Sequence, residues 1–257
     1  MRIYTADYLR KIPKQKAIQL ANGYLQERIY NGSKIQIIFD HGAHVYNVAK
    51  IAEAIAKKAN VSCLDPETAY TLGMLHDIGR IKDETITKVP HALEGFNYLN
   101  KIGYPELAPI CITHNFIDKD IKESDYPTYS PEQFAWTKEY LSHIEYNDYD
   151  RLIQLADLFS RGKEIMSIRQ RLDKNKSFYH INNLSYEDKA FGLRDYFDKK
   201  YNIDVEQIVA DLFHMHKHSY TDKSVILFFP KQQIKAPHTY AHHTSTKPYL
   251  EKYLCAS

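Results

Sequence analysis

Two adjacent residues, His76 and Asp77, lie inside the apolar stretch Leu72-Gly73-Met74-Leu75-His76-Asp77-Ile78-Gly79. An ionised carboxylate in such a setting is costly unless a compensating charge sits beside it. A metal ion supplies that charge, and neutral imidazole with carboxylate suits Zn, Mn, Fe and similar ions. Neighbours on a helix diverge by roughly 100°. One ion therefore takes both side chains only if they straddle it, or if Asp77 bridges two ions. Further candidates stand at helix ends or on apolar helices. His41 precedes a helix expected to begin near Gly42, His91 follows Pro90, and His114 closes Ile110-Cys111-Ile112-Thr113. Asp157, in Leu152-Ile153-Gln154-Leu155-Ala156-Asp157-Leu158-Phe159, is a second carboxylate in apolar company. The plain alternative is a set of polar core residues bonded to one another, but two buried carboxylates among imidazoles match metal chemistry better.

The elements that would position these residues read as helices. Ala17, Ile18, Ala21, Leu25 and Ile29 recur at helical spacing, as do Val45, Val48, Ala49, Ala52, Ile55, Ala56 and Ala59. Asp65-Pro66-Glu67 is a helix start, a capping carboxylate before proline, and that helix is expected to pass Leu72 and Leu75 and stop near Gly79. Pro90 opens another that ends near Gly103, and a third covers Leu107 to Asn115, with Pro109 in its first turns. Ser130-Pro131-Glu132-Gln133 resembles a capping box. Leu152, Leu155, Ala156 and Phe159 mark a further helix, and two more are expected near 186–200 and 204–217. Polar loops are expected over 117–130 and 173–185. The best strand candidate is Val225-Ile226-Leu227-Phe228-Phe229, and the tail beyond about 230 reads as irregular. Long helices can bring distant side chains to one point, so the expectation is an all-α bundle.

Composition narrows the class. Of 257 residues 44% are apolar and 26% charged, which suits a globular chain with a sizeable core. A formal net charge of +2 without a dense basic stripe argues against a nucleic-acid binder. Cys63, Cys111 and Cys255 are odd in number and far apart, which suits a reducing cytoplasm rather than a disulfide framework. The first residues lack the apolar core of a signal peptide, and no apolar run approaches the ~20 residues that span a bilayer. His214, His216, His218, His238, His242 and His243 have no buried carboxylate or Cys beside them, which argues against a metal cluster there.

The ordered set His41, His76-Asp77, Asp157 resembles that of the HD superfamily of metal-dependent phosphohydrolases, over about residues 38–162. His91 and His114 resemble the additional ligands of its two-metal subset, and the pattern is similar to that of hydrolases that split diadenosine tetraphosphate symmetrically. The resemblance implies an HD-type helical domain over 1–165, with 166–257 as a helical extension and tail packed on it. It implies that His41, His76, Asp77 and Asp157 hold one divalent ion, and that Asp77, His91 and His114 hold a second. Fe, Mn, Co, Ni, Zn and Mg are the candidates. It implies water activated against a phosphate ester or anhydride of a small molecule such as a nucleotide. Arg80 and Arg161, three and four residues past Asp77 and Asp157, would meet phosphoryl oxygens, Arg161 from the helical face of Asp157. Oligomeric state stays open. Two alternatives are kept: a di-iron oxygenase on the same ligands, and a non-catalytic nucleotide sensor. Gly103-Tyr104-Pro105 spells the signature of the cyclic-di-GMP phosphodiesterase branch but precedes His114, so it reads as a helix stop and turn. His44, on the face of His41, reads first as a packed side chain, and Glu94 as an acid at a helix N-terminus.

Overall fold

The computed structural model describes residues 12–30, 35–81, 89–123, 126–179 and 184–216. Ten α-helices and a short 3-10 turn account for most of the described chain. In chain order they are α1 (Lys14–Tyr30), α2 (Ile35–Ala59), α3 (Pro66–Leu75), the 3-10 turn Ile78–Ile81, α4 (His91–Lys101), α5 (Pro109–Thr113) and α6 (Pro131–Ser142). Then come α7 (Asp148–Leu158), α8 (Ile168–Tyr179), α9 (Leu184–Tyr201) and α10 (Val205–His216). Between α7 and α8 a two-residue hairpin, β1 (Ser160–Arg161) and β2 (Glu164–Ile165), pairs antiparallel with Arg161 opposite Glu164. The fold is all-α, as the periodicity predicts.

Capping chemistry sets several helix starts. The Asp65 carboxylate accepts from the Thr68 backbone N–H at 2.8 Å, and Pro66 occupies the first helical position. Ser130 and Gln133 close the expected capping box on α6. A second box, Asn147 with Asp150, starts α7. The turn at Gly103-Tyr104-Pro105 follows the end of α4, as expected.

The helices pack as a bundle with α2 and α3 at its centre. Helix α1 covers α3, α7 lies against both central helices, and α10 packs on α2. The main core includes Val48, Ile51, Ile55, Leu72, Leu75, Leu152, Leu155 and Phe159, all shut off from solvent. Helices α9 and α10 join it through Phe197 and Val205. A second cluster, around Phe116, Phe134 and Leu141, lies under α4 and α6 with Phe96 and Trp136 against it.

Several boundaries differ from the sequence reading. Helix α2 starts at Ile35 and runs through Gly42 rather than beginning there. A glycine inside a helix costs only about 1 kcal/mol, and the burial of Ala43, Val45, Val48 and Ala49 outweighs it. Helix α3 ends at Leu75, and a 3-10 turn carries the chain across Gly79. Helix α5 has only five residues. The loop expected over 173–185 is helical as far as Tyr179. Ile168 and Leu172 bury one face of that helix, and Arg169 and Lys176 pair with Glu187 of α9. The strand candidate 225–229, the tail, Cys255 and His218, His238, His242 and His243 lie outside the described residues, as do the side chains of His214 and His216. Among the described residues no helix is long and apolar enough to cross a membrane.

Candidate metal centre

Four imidazoles and two carboxylates converge where α2, α3, α4, α5 and α7 meet. Asp77 stands at the middle, just past α3, and its two oxygens face different neighbours. Oδ2 lies 3.6 Å from His44 Nε2 and 3.9 Å from His76 Nε2, while Oδ1 lies 3.4 Å from both His91 Nε2 and His114 Nε2. Two compact triads result, His44-His76-Asp77 and Asp77-His91-His114, every residue of them buried. Asp157, in the last turn of α7, adds a second carboxylate to the first triad. Its Oδ1 is 3.0 Å from His44 Nε2 and 3.9 Å from His76 Nε2. It is the more open acid, with 26% of its side chain exposed against 3% for Asp77.

The ring nitrogens are oriented from behind. His76 Nδ1 is 2.7 Å from the Gly73 carbonyl, and His114 Nδ1 is 2.9 Å from the Ile110 carbonyl. A carbonyl only accepts, so each Nδ1 donates and a neutral ring turns its Nε2 lone pair to the centre. Burial drives the His76 pKa down to about 3 despite the neighbouring carboxylates, so this ring is neutral at ordinary pH. His44 Nδ1 meets Ser160 Oγ at 3.1 Å. Behind His114, Thr113 Oγ1 donates to Asp150 Oδ1 at 2.6 Å, and Gln154 Nε2 donates to the carbonyls of Thr113 at 2.7 Å and Phe116 at 3.1 Å. Helix α7 thus fixes the end of α5 as well as carrying Asp157.

The carboxylates are ionised. Burial pushes Asp77 up, but Arg80 and the surrounding imidazoles outweigh it and hold the carboxyl well below its usual range. For Asp157 burial acts the same way and is overcome by the hydrogen bond from His44 and the electrostatic pull of the neighbouring imidazoles and Arg171. Around Asp77 and His76, lone pairs and anionic oxygens therefore point at one another. His76 Nε2 and Asp77 Oδ1 are buried without a hydrogen-bond partner among the described residues. Such a donor-poor cluster is unfavourable by itself and is satisfied by a divalent cation, which this ligand set fits.

Close backbone contact brings the two triads together. A Cβ on Gly79 would lie 1.8 Å from the His91 carbonyl oxygen and 2.3 Å from the Gly95 nitrogen. Only glycine lets the 3-10 turn rest on the start of α4, which sets Asp77 against His91.

Two of the expected residues are placed differently from what their spacing suggests. His44, not His41, completes the triad with His76 and Asp77. Both lie on one face of α2, their rings 6.3 Å apart, and His41 is buried beside the site. Because α2 begins at Ile35, residue 41 is no helix-start position, and His44 is the residue level with Asp157. Its periodicity with Val48 and Ala52 puts it on the buried stripe, but His41 shares that stripe through Val45 and Val48, so spacing alone does not separate the two. Arg161 does not share a helical face with Asp157, because α7 stops at Leu158 and Phe159 caps it. The chain then turns, and Ser160 is the residue delivered to His44. Arg80 is where its spacing puts it. Its Nε donates to Asp77 Oδ2 at 2.6 Å and its Nη2 approaches His91 Nε2 at 3.3 Å, with 42% of the side chain exposed. Glu94 lies in the first turn of α4. Cys111 is core, and its burial, with Asp77 nearby, raises its thiol pKa well above normal.

No curated protein and no solved structure matches the chain. Residues 42–162 match the model of one family, described as HD domain, and the buried His and Asp cluster inside that stretch fits the HD superfamily and its binding of divalent metal.

Proposed function

We propose that this chain is a two-metal phosphohydrolase acting on a small phosphorylated molecule, with a nucleotide as the substrate class. The reading assigns His44, His76, Asp77 and Asp157 to one divalent ion and Asp77, His91 and His114 to the other, within a catalytic domain over 1–165. The observation that carries it is the division of Asp77, one oxygen facing each set of imidazoles. Bound divalent cations supply Lewis acidity and lower the pKa of water toward neutrality. The protein's own residues do the rest. The carbonyls of Gly73 and Ile110 hold the Nε2 lone pairs inward, and Ser160 orients His44. Arg80, held to Asp77 with 42% of its side chain in solvent, presents its remaining N–H donors to phosphoryl oxygens. Support for Arg161 as a second such contact is now its place next to Ser160, not helical spacing.

A substrate panel tests the reading. Protein loaded in turn with Mn, Fe and Co is given phosphomonoesters, nucleoside triphosphates, cyclic dinucleotides and diadenosine tetraphosphate. Phosphate release and nucleotide separation are then measured. Turnover of at least one class that disappears in Asp77→Ala is expected. No turnover with any metal, joined to oxygen consumption by the iron form, would replace phosphoryl chemistry with an oxygenase.

A further inference from the structure

Helices α8 and α9 lie beyond the stretch that matches the HD domain, yet they return to the site. The hairpin at 160–165 reverses the chain directly after Asp157, and α9 packs on α7, the helix that carries Asp157. Tyr196 and Lys200, late in α9, bond to Asp148 at the start of α7, so the beginning of α9 falls toward the Asp157 end, and α8 is tied to it there through Glu187. Two residues of these helices matter. Arg171 of α8 and Tyr186 of α9 lie within electrostatic reach of the Asp157 carboxylate and of each other. Their neighbours are already engaged, since Arg169 and Lys176 both pair with Glu187. The half-buried Arg171 guanidinium has no ion pair and no side-chain hydrogen bond among the described residues. Tyr186 is the one exposed large apolar side chain among the described residues, at 38%. Asp157 is the more open of the two central acids.

We propose that Arg171 and Tyr186 form a second anion subsite next to Asp157, which binds a non-reacting phosphate of a substrate carrying more than one. The inference rests on the phosphohydrolase reading and deepens it to polyphosphorylated substrates. A guanidinium offers five N–H donors in a planar fork that suits phosphate oxygens, and nothing in the described chain uses Arg171's. It stands near an acid that the metals would neutralise, so an anion reaching the loaded site meets net positive charge. The tyrosine adds a hydroxyl donor and a ring wall. Both residues act on the substrate's distal group rather than at the reacting bond.

The test is calorimetric, on the full-length Mn-loaded protein, with inorganic pyrophosphate and orthophosphate as probes and metal content measured in parallel. Arg171→Ala should weaken pyrophosphate by on the order of 10–100-fold, the loss of a charge-assisted hydrogen-bond pair. Orthophosphate binding and metal stoichiometry should stay near wild type. Arg171→Lys should recover part of the affinity, and Tyr186→Phe should cost several-fold. If Arg171→Ala melts without cooperativity, Arg171→Gln carries the same comparison. Equal weakening of both probes, or loss of metal, makes Arg171 a support of Asp157 and overturns the subsite. Unchanged pyrophosphate binding in Arg171→Ala and Tyr186→Phe overturns it as well. A wild-type protein that holds metal but binds neither probe refutes the phosphohydrolase reading, and the subsite falls with it.

Discussion

Asp150 gives the sharpest quantitative prediction, because it is a buried acid that no metal needs. It is fully shielded from solvent, and burial raises its pKa from 3.8 to about 6, against the lowering pull of Thr113, Asn147, Arg151 and Lys119. A shift of roughly two units corresponds to about 3 kcal/mol. The native pKa is the higher one, so between about pH 4 and pH 6 the folded state binds more protons than the unfolded. The contribution of this group is fully present below the unfolded value and is lost as pH rises through about 6. Asp150→Asn removes the titration while keeping the contacts. The amide oxygen still accepts from the Asn147 backbone N–H, 2.9 Å away in the wild type, and the amide nitrogen donates to the Thr113 hydroxyl, which rotates to accept. Urea unfolding of both proteins across about pH 4 to 8 reads the difference directly, since the remaining titrations cancel. The two should be nearly equal at about pH 4. The variant should gain as pH rises and lead by up to about 3 kcal/mol near neutrality. Metal content should not change, because Gln154 still holds the Thr113 carbonyl. A difference that is flat with pH, or a variant less stable at about pH 8, would refute the reasoning.

Four further outcomes are expected. His44→Ala should lose one of the two ions by elemental analysis while His41→Ala keeps both, and the opposite result would restore His41 to the site. Asp77→Ala should lose both ions and His114→Ala one, so full occupancy in metal-loaded Asp77→Ala contradicts the bridging role. Ser160→Ala, which removes the partner of His44 Nδ1 at 3.1 Å, should lower metal affinity about 10–100-fold with the melting temperature nearly unchanged. Gly79→Ala forces a methyl against the His91 carbonyl and should destabilise by at least about 1–3 kcal/mol and lower metal stoichiometry, measured by denaturation and elemental analysis.

Much of this architecture was legible in the sequence where local chemistry decides it. Asp65-Pro66 and Ser130 cap helices because a side-chain oxygen and a proline act on their own chain. His76-Asp77, His91, His114 and Asp157 stood out because charge in an apolar run needs a reason. The choice between His41 and His44 was not legible. The two share one helical face, and the deciding fact is how far α2 slides along α3 and α7, which is tertiary. The stop of α7 at Leu158 was hidden too, since no glycine or proline marks it before Gly162. Arg171 and Tyr186 carry no motif at all, and only the tertiary packing of α9 on α7 and of α8 on α9 brings them toward Asp157.

The hairpin after α7 has a consequence for how the gene can vary. Asp157 and Ser160 are three residues apart, and both act on the same imidazole, one on each ring nitrogen. The turn that follows is constrained as well, since Gly162 sits at φ +56°, a left-handed conformation that favours glycine. This stretch therefore has no slack in length. One residue inserted or deleted between 157 and 160 would rotate either the acid or the hydroxyl away from His44.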